Sequence, residues 1–153
     1  MPKREHVVAV VREWVVKAEN DLKTARHTLL LADDCPTDTV CFHSQQCIEK
    51  YLKAFLVLKQ IPFPKTHDLS ELLNMLPSEF QNLLSQEEQE LFTDYAVVTR
   101  YPSAYGEISL SDARKSVRVA VRIRRAVRTV LPKEAFPATK KKNQRDNKNG
   151  TLV

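Results

Sequence analysis

Apolar residues in this chain recur at intervals of three and four over most of its length, a spacing that a helix gathers onto one face and a strand does not. Val7, Val11, Trp14, Ala18, Leu22, Ala25 and Leu29 step in this way. They predict a long amphipathic helix from Val7 to about Leu31, closed by the turn Asp33-Asp34-Cys35-Pro36. A second helix is expected from about Asp38 to Lys59, after which Pro62 and Pro64 enforce an extended connection. Asp68 with Glu71 three residues on is a capping-box-like start for a short helix from Leu69 to Leu76, stopped by Pro77. Ser85-Gln86-Glu87-Glu88 opens a fourth, reaching Thr99 or Arg100.

The last segment, Ser109 to about Leu131, holds an ambiguity, because Val117 to Ile123 alternates as a half-buried strand would. The wider window favours a helix. Arg114, Arg118, Arg122, Arg125 and Arg128 repeat by four and three, while Val119, Ala120, Ile123, Ala126, Val127 and Val130 fall on the other side. Glycine occurs only at positions 106 and 150, which argues against a fold built on tight hairpins and excludes glycine-rich phosphate loops and dinucleotide fingerprints. Five amphipathic segments with short polar joints therefore predict an all-α fold, an antiparallel up-and-down bundle of four to five helices. A chain of 153 residues, 42% hydrophobic, suits one such domain over residues 1–132. Residues 133–153, with Lys140-Lys141-Lys142, have little to bury and are expected to form a basic, disordered tail.

No apolar run exceeds five residues, as in Ala54 to Leu58, and no signal-peptide pattern opens the chain. A soluble, cytoplasmic protein with no membrane partner is expected. Cys35, Cys41 and Cys47 lack metal-site spacing, so structural zinc and a disulfide framework are not expected; packed thiols are the simpler reading, and no metal or cofactor is assigned. A net charge of +5 and a pI of about 9.2 are compatible with an anionic partner. The arginine row on the last helix is the clearest basic feature, since no acidic residue interrupts it between Lys115 and Leu131. A solvated helix face more often mixes Glu with Lys at i,i+4; an uninterrupted row suits a nucleic-acid backbone or an acidic protein.

The segment Phe42-His43-Ser44-Gln45-Gln46-Cys47-Ile48-Glu49-Lys50-Tyr51-Leu52-Lys53-Ala54 sorts polar residues from bulky ones. Gln45, Gln46, Glu49, Lys50 and Lys53 share one helix face; Ile48, Tyr51, Leu52 and Phe55 share the opposite one. The polar face is either solvated or lines a cleft in which Gln46, Lys50 and Lys53 meet phosphate or a partner carboxylate. His43, at its edge, reads as a partly exposed structural residue. His67, beside Asp68 at a helix start, is either a cap-region residue or an anion contact. Arg100 sits before Tyr101-Pro102, where its guanidinium can cap the helix end, pair with Asp94 or present a fork to phosphate. Tyr101 can stack on a base or pack.

These motifs, with Ala18-Glu-Asn-Asp21-Leu22 and Ala25 before them and Thr66-His67-Asp68-Leu69 and Thr99-Arg100-Tyr101-Pro102 after, together resemble the HEPN domain over roughly residues 10 to 130. The resemblance implies a helical bundle that commonly dimerises, often encoded beside a minimal nucleotidyltransferase, in a family with many RNA-cleaving toxins. Ribonuclease members carry Arg, four to six residues, then His. Here the four histidines are His6, His27, His43 and His67, and Tyr105 and Gly106 stand where that histidine would fall. The resemblance therefore implies a homodimeric protein that binds nucleotide or RNA phosphate through Arg100, helped by Lys50, Lys53 and His67, and works with a nucleotidyltransferase partner in a toxin-antitoxin-like or nucleotide-transfer system. Two alternatives stand beside it: a metal-independent ribonuclease in which His67 or His43 replaces the missing histidine, and a noncatalytic scaffold docking an acidic protein.

Overall fold

In a computed structural model describing residues 2–98 and 106–138, the chain forms five α-helices and, among those residues, no strand. They are α1 (Arg4–Leu29), α2 (Thr37–Leu58), α3 (Leu69–Met75), α4 (Gln86–Val98) and α5 (Leu110–Arg128). Three short 3-10 turns lie at Ala32–Asp34, Ser78–Phe80 and Lys133–Ala135. The expected boundaries hold to within a few residues because the caps are written into the chain. Asp68 accepts hydrogen bonds from the Ser70 and Glu71 amides, and Ser109 accepts one from Asp112. Ser85 and Glu88 form a complete capping box, each side chain accepting from the other's backbone N–H at 3.1 and 2.9 Å.

α2 is the central element. α1 lies along one side of it and α5 along another, with α3 and α4 covering the rest. Val40, Ile48, Tyr51, Leu52, Phe55 and Leu56 are buried around most of its circumference. Of the expected stripe on α1, Val7, Val11, Ala18, Leu22 and Ala25 are buried and Trp14 and Leu29 pack partly buried against the core, while Val15, outside that stripe, is buried as well. The ambiguous Val117 to Ile123 segment is helical throughout. Val117, Val119, Ala120 and Ile123 are buried on α5, and the Ser116 hydroxyl reaches Ser44 of α2 at 3.0 Å.

Past Pro132 the chain stays against the bundle as far as it is described. Ala135 is buried in the core, Phe136 packs on it, and Arg12 of α1 donates to the Glu134 carbonyl, its Nε at 2.8 Å. Lys140 to Lys142 lie outside the described residues.

With glycine so scarce, α2 ends without one. Gln60 adopts φ +56°, the Ile61 amide donates to the Leu56 carbonyl and the Gln60 amide to that of Val57. This is a Schellman closure with a side-chain-bearing residue in the left-handed position, where an L residue is strained by about 1 kcal/mol. Gln60→Gly is expected to raise unfolding stability by about 0.5–1 kcal/mol in urea titrations. A loss of stability would contradict this reading of the turn.

Candidate functional site

The polar face of α2 is not solvated. Gln45, Glu49 and Lys53, three successive turns of it, are all buried, with Glu49 only 2% exposed. A bare carboxylate at that depth would be prohibitive, and the structure answers it from three directions. Glu49 Oε1 accepts from Gln45 Nε2 at 3.2 Å and faces His67 Nδ1 at 2.7 Å; Oε2 accepts from Lys53 Nζ at 3.2 Å. Gln46 Nε2 in turn donates to Gln45 Oε1 at 2.6 Å. The Lys53 ammonium also lies 5.5 Å from the ring centroid of Trp14 and 5.8 Å from that of Phe63, two rings packed edge to face. Lys53 is thus consumed inside the protein. His67 is the outward end of the network, its side chain 57% exposed, and its Nε2 has no partner among the described residues.

A second polar group lies between α1 and α2. Asp21, 8% exposed, takes His43 Nδ1 on one oxygen at 2.8 Å and Lys50 Nζ on the other at 2.5 Å. His43 and Lys50 keep about a quarter of their side-chain surface open. The sequence marks Asp21 within a motif but offers no reason to pair it with residues 22 and 29 positions on.

The five arginines of α5 divide. Arg114, Arg118 and Arg125 are exposed and form no ion pair among the described residues. Arg122 is exposed but bonded to Glu88 at 2.7 Å and to the Leu83 carbonyl at 3.1 Å. Arg128 turns toward α1. There, with Arg124, a residue outside the row, and the Tyr51 hydroxyl, it surrounds Glu19. The carboxylates missing from the arginine stretch of α5 are thus supplied to three of its arginines, Arg122, Arg124 and Arg128, by α4 and α1. Burial would raise the Glu19 carboxyl, but hydrogen bonds from Tyr51 and Arg124 and the charges of Arg124 and Arg128 outweigh it and hold the group below the usual range. The Tyr51 hydroxyl is pushed upward by burial and by Glu19.

Arg100 and Tyr101 lie outside the described residues. Among the residues described, no three His, Cys, Asp or Glu side chains converge closely enough to hold a metal ion. Cys41 and Cys47 are buried and burial raises both thiols, Cys47 strongly, so neither is poised as a thiolate nucleophile.

Two measurements check this electrostatic account. Glu49→Ala leaves a buried Lys53 uncompensated and is expected to cost about 3–5 kcal/mol, while Glu49→Gln combined with Lys53→Met recovers much of the loss. Equal losses in the two proteins would contradict the pairing. Because Glu19 has a depressed folded pKa, its stabilisation is full above the unfolded carboxylate value and is lost as pH falls through the lower folded value. Acid titration of unfolding stability should therefore be shallower in Glu19→Gln than in the parent, and identical acid limbs would refute the assignment.

Comparison with known proteins places this geometry in context. A protein of Methanocaldococcus jannaschii named "Putative toxin MJ1304" is 34% identical over 104 residues, an alignment that covers 62% of this chain and 66% of that one. The crystal structure of ST0689, an archaeal HEPN homologue, superposes with a TM-score of 0.61 at 27% identity, covering 80% of this chain and 98% of the other. That of TT1696 from Thermus thermophilus gives 0.65 at 25% identity, covering 78% and 96%. The HEPN domain model matches residues 11–130, from the second turn of α1 to just past the end of α5. That span takes in most of the chain and every group described above except the segment after Pro132, and the chain belongs to the HEPN domain family.

Proposed function

We propose that this protein is a toxin-type HEPN module that engages nucleotide or RNA phosphate along the arginine face of α5 and works with a protein partner of the nucleotidyltransferase class. One observation carries the reading: Arg114, Arg118 and Arg125 project from one helix face with no carboxylate to neutralise them among the described residues. Lys50 and Lys53, the sequence's other phosphate candidates, are engaged by Asp21 and Glu49, and a phosphate would have to compete with those carboxylates. A row of unpaired guanidiniums suits a chain of phosphates, because each contact releases a counterion and each fork can take two phosphate oxygens. The likeness to the Methanocaldococcus jannaschii protein supports the toxin-type assignment. Arg100, from the sequence motif, is a further candidate contact.

A ribonuclease reading is favoured by a different observation, the seating of His67 on Glu49. A buried carboxylate fixing Nδ1 of an exposed imidazole leaves Nε2 available for proton transfer, and none of this requires a metal.

Titration of the protein with single-stranded RNA over a range of salt tests the first reading. Arg118→Ala with Arg125→Ala should weaken binding across sequences and flatten the log-affinity against log-salt slope by about 1.4, two phosphate contacts' worth on a single strand. An unchanged slope would contradict it. Incubation of the same RNA in EDTA separates the second. Cleavage lost in His67→Ala would support a catalytic imidazole, and intact RNA with the parent protein would exclude that reading.

A further inference from the structure

The cluster around Glu19 is built unlike the other ion pairs. Three donors, Tyr51 Oη, Arg124 Nε and Arg128 Nη1, converge on the single oxygen Oε1, while Oε2 has no partner among the described residues. A carboxylate oxygen offers two lone pairs, so the third donor is crowded out. Arg128 is that donor. Its Nη1 stands 3.4 Å from both Glu19 Oε1 and the Tyr51 hydroxyl, beyond good hydrogen-bonding range, although Arg124 sits at 2.5 Å. What fixes Arg128 is packing, since its guanidinium carbon lies 4.0 Å from the Phe136 ring centroid. The two guanidiniums and the carboxylate each keep about 30% of their side-chain surface open. The site therefore carries two positive charges against one negative charge, with a pre-positioned but poorly satisfied fork at its edge.

A tetrahedral phosphate removes the mismatch that a carboxylate leaves. Its separate oxygens can accept from Arg124, Arg128 and Tyr51 individually instead of sharing one atom. Glu19 keeps 29% of its side-chain surface open, which gives its carboxylate a way out to solvent when displaced. The cluster also adjoins the exposed row, for Arg128 lies three residues, one turn, beyond Arg125 on α5.

We propose that Arg124, Arg128 and Tyr51 form a phosphate subsite that Glu19 occupies as an internal stand-in, yielding it to a phosphate group of RNA or of a free phosphate ester. This deepens the phosphate-binding reading of α5 and rests on it. Phe136 makes the segment after α5 part of the subsite, as the backstop that holds the Arg128 fork flat.

Isothermal titration at low salt with inorganic phosphate, and separately with a single-stranded RNA bearing no terminal phosphate, tests the proposal. Glu19→Gln removes the competing charge and should tighten phosphate binding about tenfold over the parent. Glu13→Gln, the same charge change at an exposed position of α1 without an ion pair among the described residues, is the control for net charge and should change affinity far less. A gain with inorganic phosphate assigns the site to free phosphate esters as well. A gain with RNA alone assigns it to the backbone. If Glu19→Gln binds both probes no better than Glu13→Gln, the proposal is overturned. Arg124→Ala in the otherwise parental protein reads the site from the other side and does not depend on Glu19→Gln folding: it must weaken binding, and unchanged affinity also overturns the subsite. Loss of RNA binding in the Arg118 and Arg125 double variant alongside either null result would refute only this subsite and leave the α5 reading standing.

Discussion

A helix enclosed on nearly every side cannot keep a charge that the protein does not answer from within. α2 is such a helix, and Glu49 is the charge around which its surroundings are arranged. Lys53 one turn on, Gln45 one turn back and His67 from the approach to α3 all point at that carboxylate. Trp14 of α1 and Phe63 of the extended connection close over the Lys53 ammonium. The position of α1, the course of the Pro62 to Pro64 connection and the start of α3 are thereby tied to one buried ion pair. Such a pair contributes little net stability compared with a well-packed apolar substitute. Its effect is to specify one arrangement of the elements that meet there, and to leave a single imidazole at the surface.

The same division between inward and outward charge recurs on α5. Its two flanks are drawn into neighbouring helices, Arg122 to Glu88 of α4 and Arg124 with Arg128 to Glu19 of α1, while the middle of its polar face keeps Arg114, Arg118 and Arg125 in solvent. Charges that hold helices together reach a ligand only where the paired carboxylate gives way. The basic row of the sequence is thus two kinds of residue: Arg114, Arg118 and Arg125 are open to a phosphate chain as they stand, while Arg122 and Arg128 are already engaged by a carboxylate.

Much of the fold was legible in the sequence because helix starts depend on local chemistry. Asp68, Ser85 and Ser109 each cap the helix that follows them, and the apolar stripe of α1 is buried as its spacing implies. The strand-like alternation of Val117 to Ile123 yielded to the longer period around it. The candidate site was less legible because burial is not a local property. The sorted polar face of α2 looks the same whether water or another helix lies beyond it, and only packing shows that Lys53 is enclosed and His67 is not. Partners such as Asp21 for Lys50 and Glu19 for Arg124, 29 and 105 positions apart, have no signature in spacing. The one available signal was indirect: an arginine-rich helical stretch with no acidic residue after Lys115 must find carboxylates elsewhere or face an anionic ligand.

The central claim is that phosphate recognition belongs to the exposed guanidiniums of α5 and not to the internally paired lysines of α2. Nuclear magnetic resonance of the arginine Nε–Hε and lysine ammonium groups during titration with single-stranded RNA tests it most directly. The account predicts that the Arg114, Arg118 and Arg125 signals move and broaden with added RNA while those of Lys50 and Lys53 stay in place. Shifts confined to Lys50 and Lys53, with the α5 signals unmoved, would contradict it.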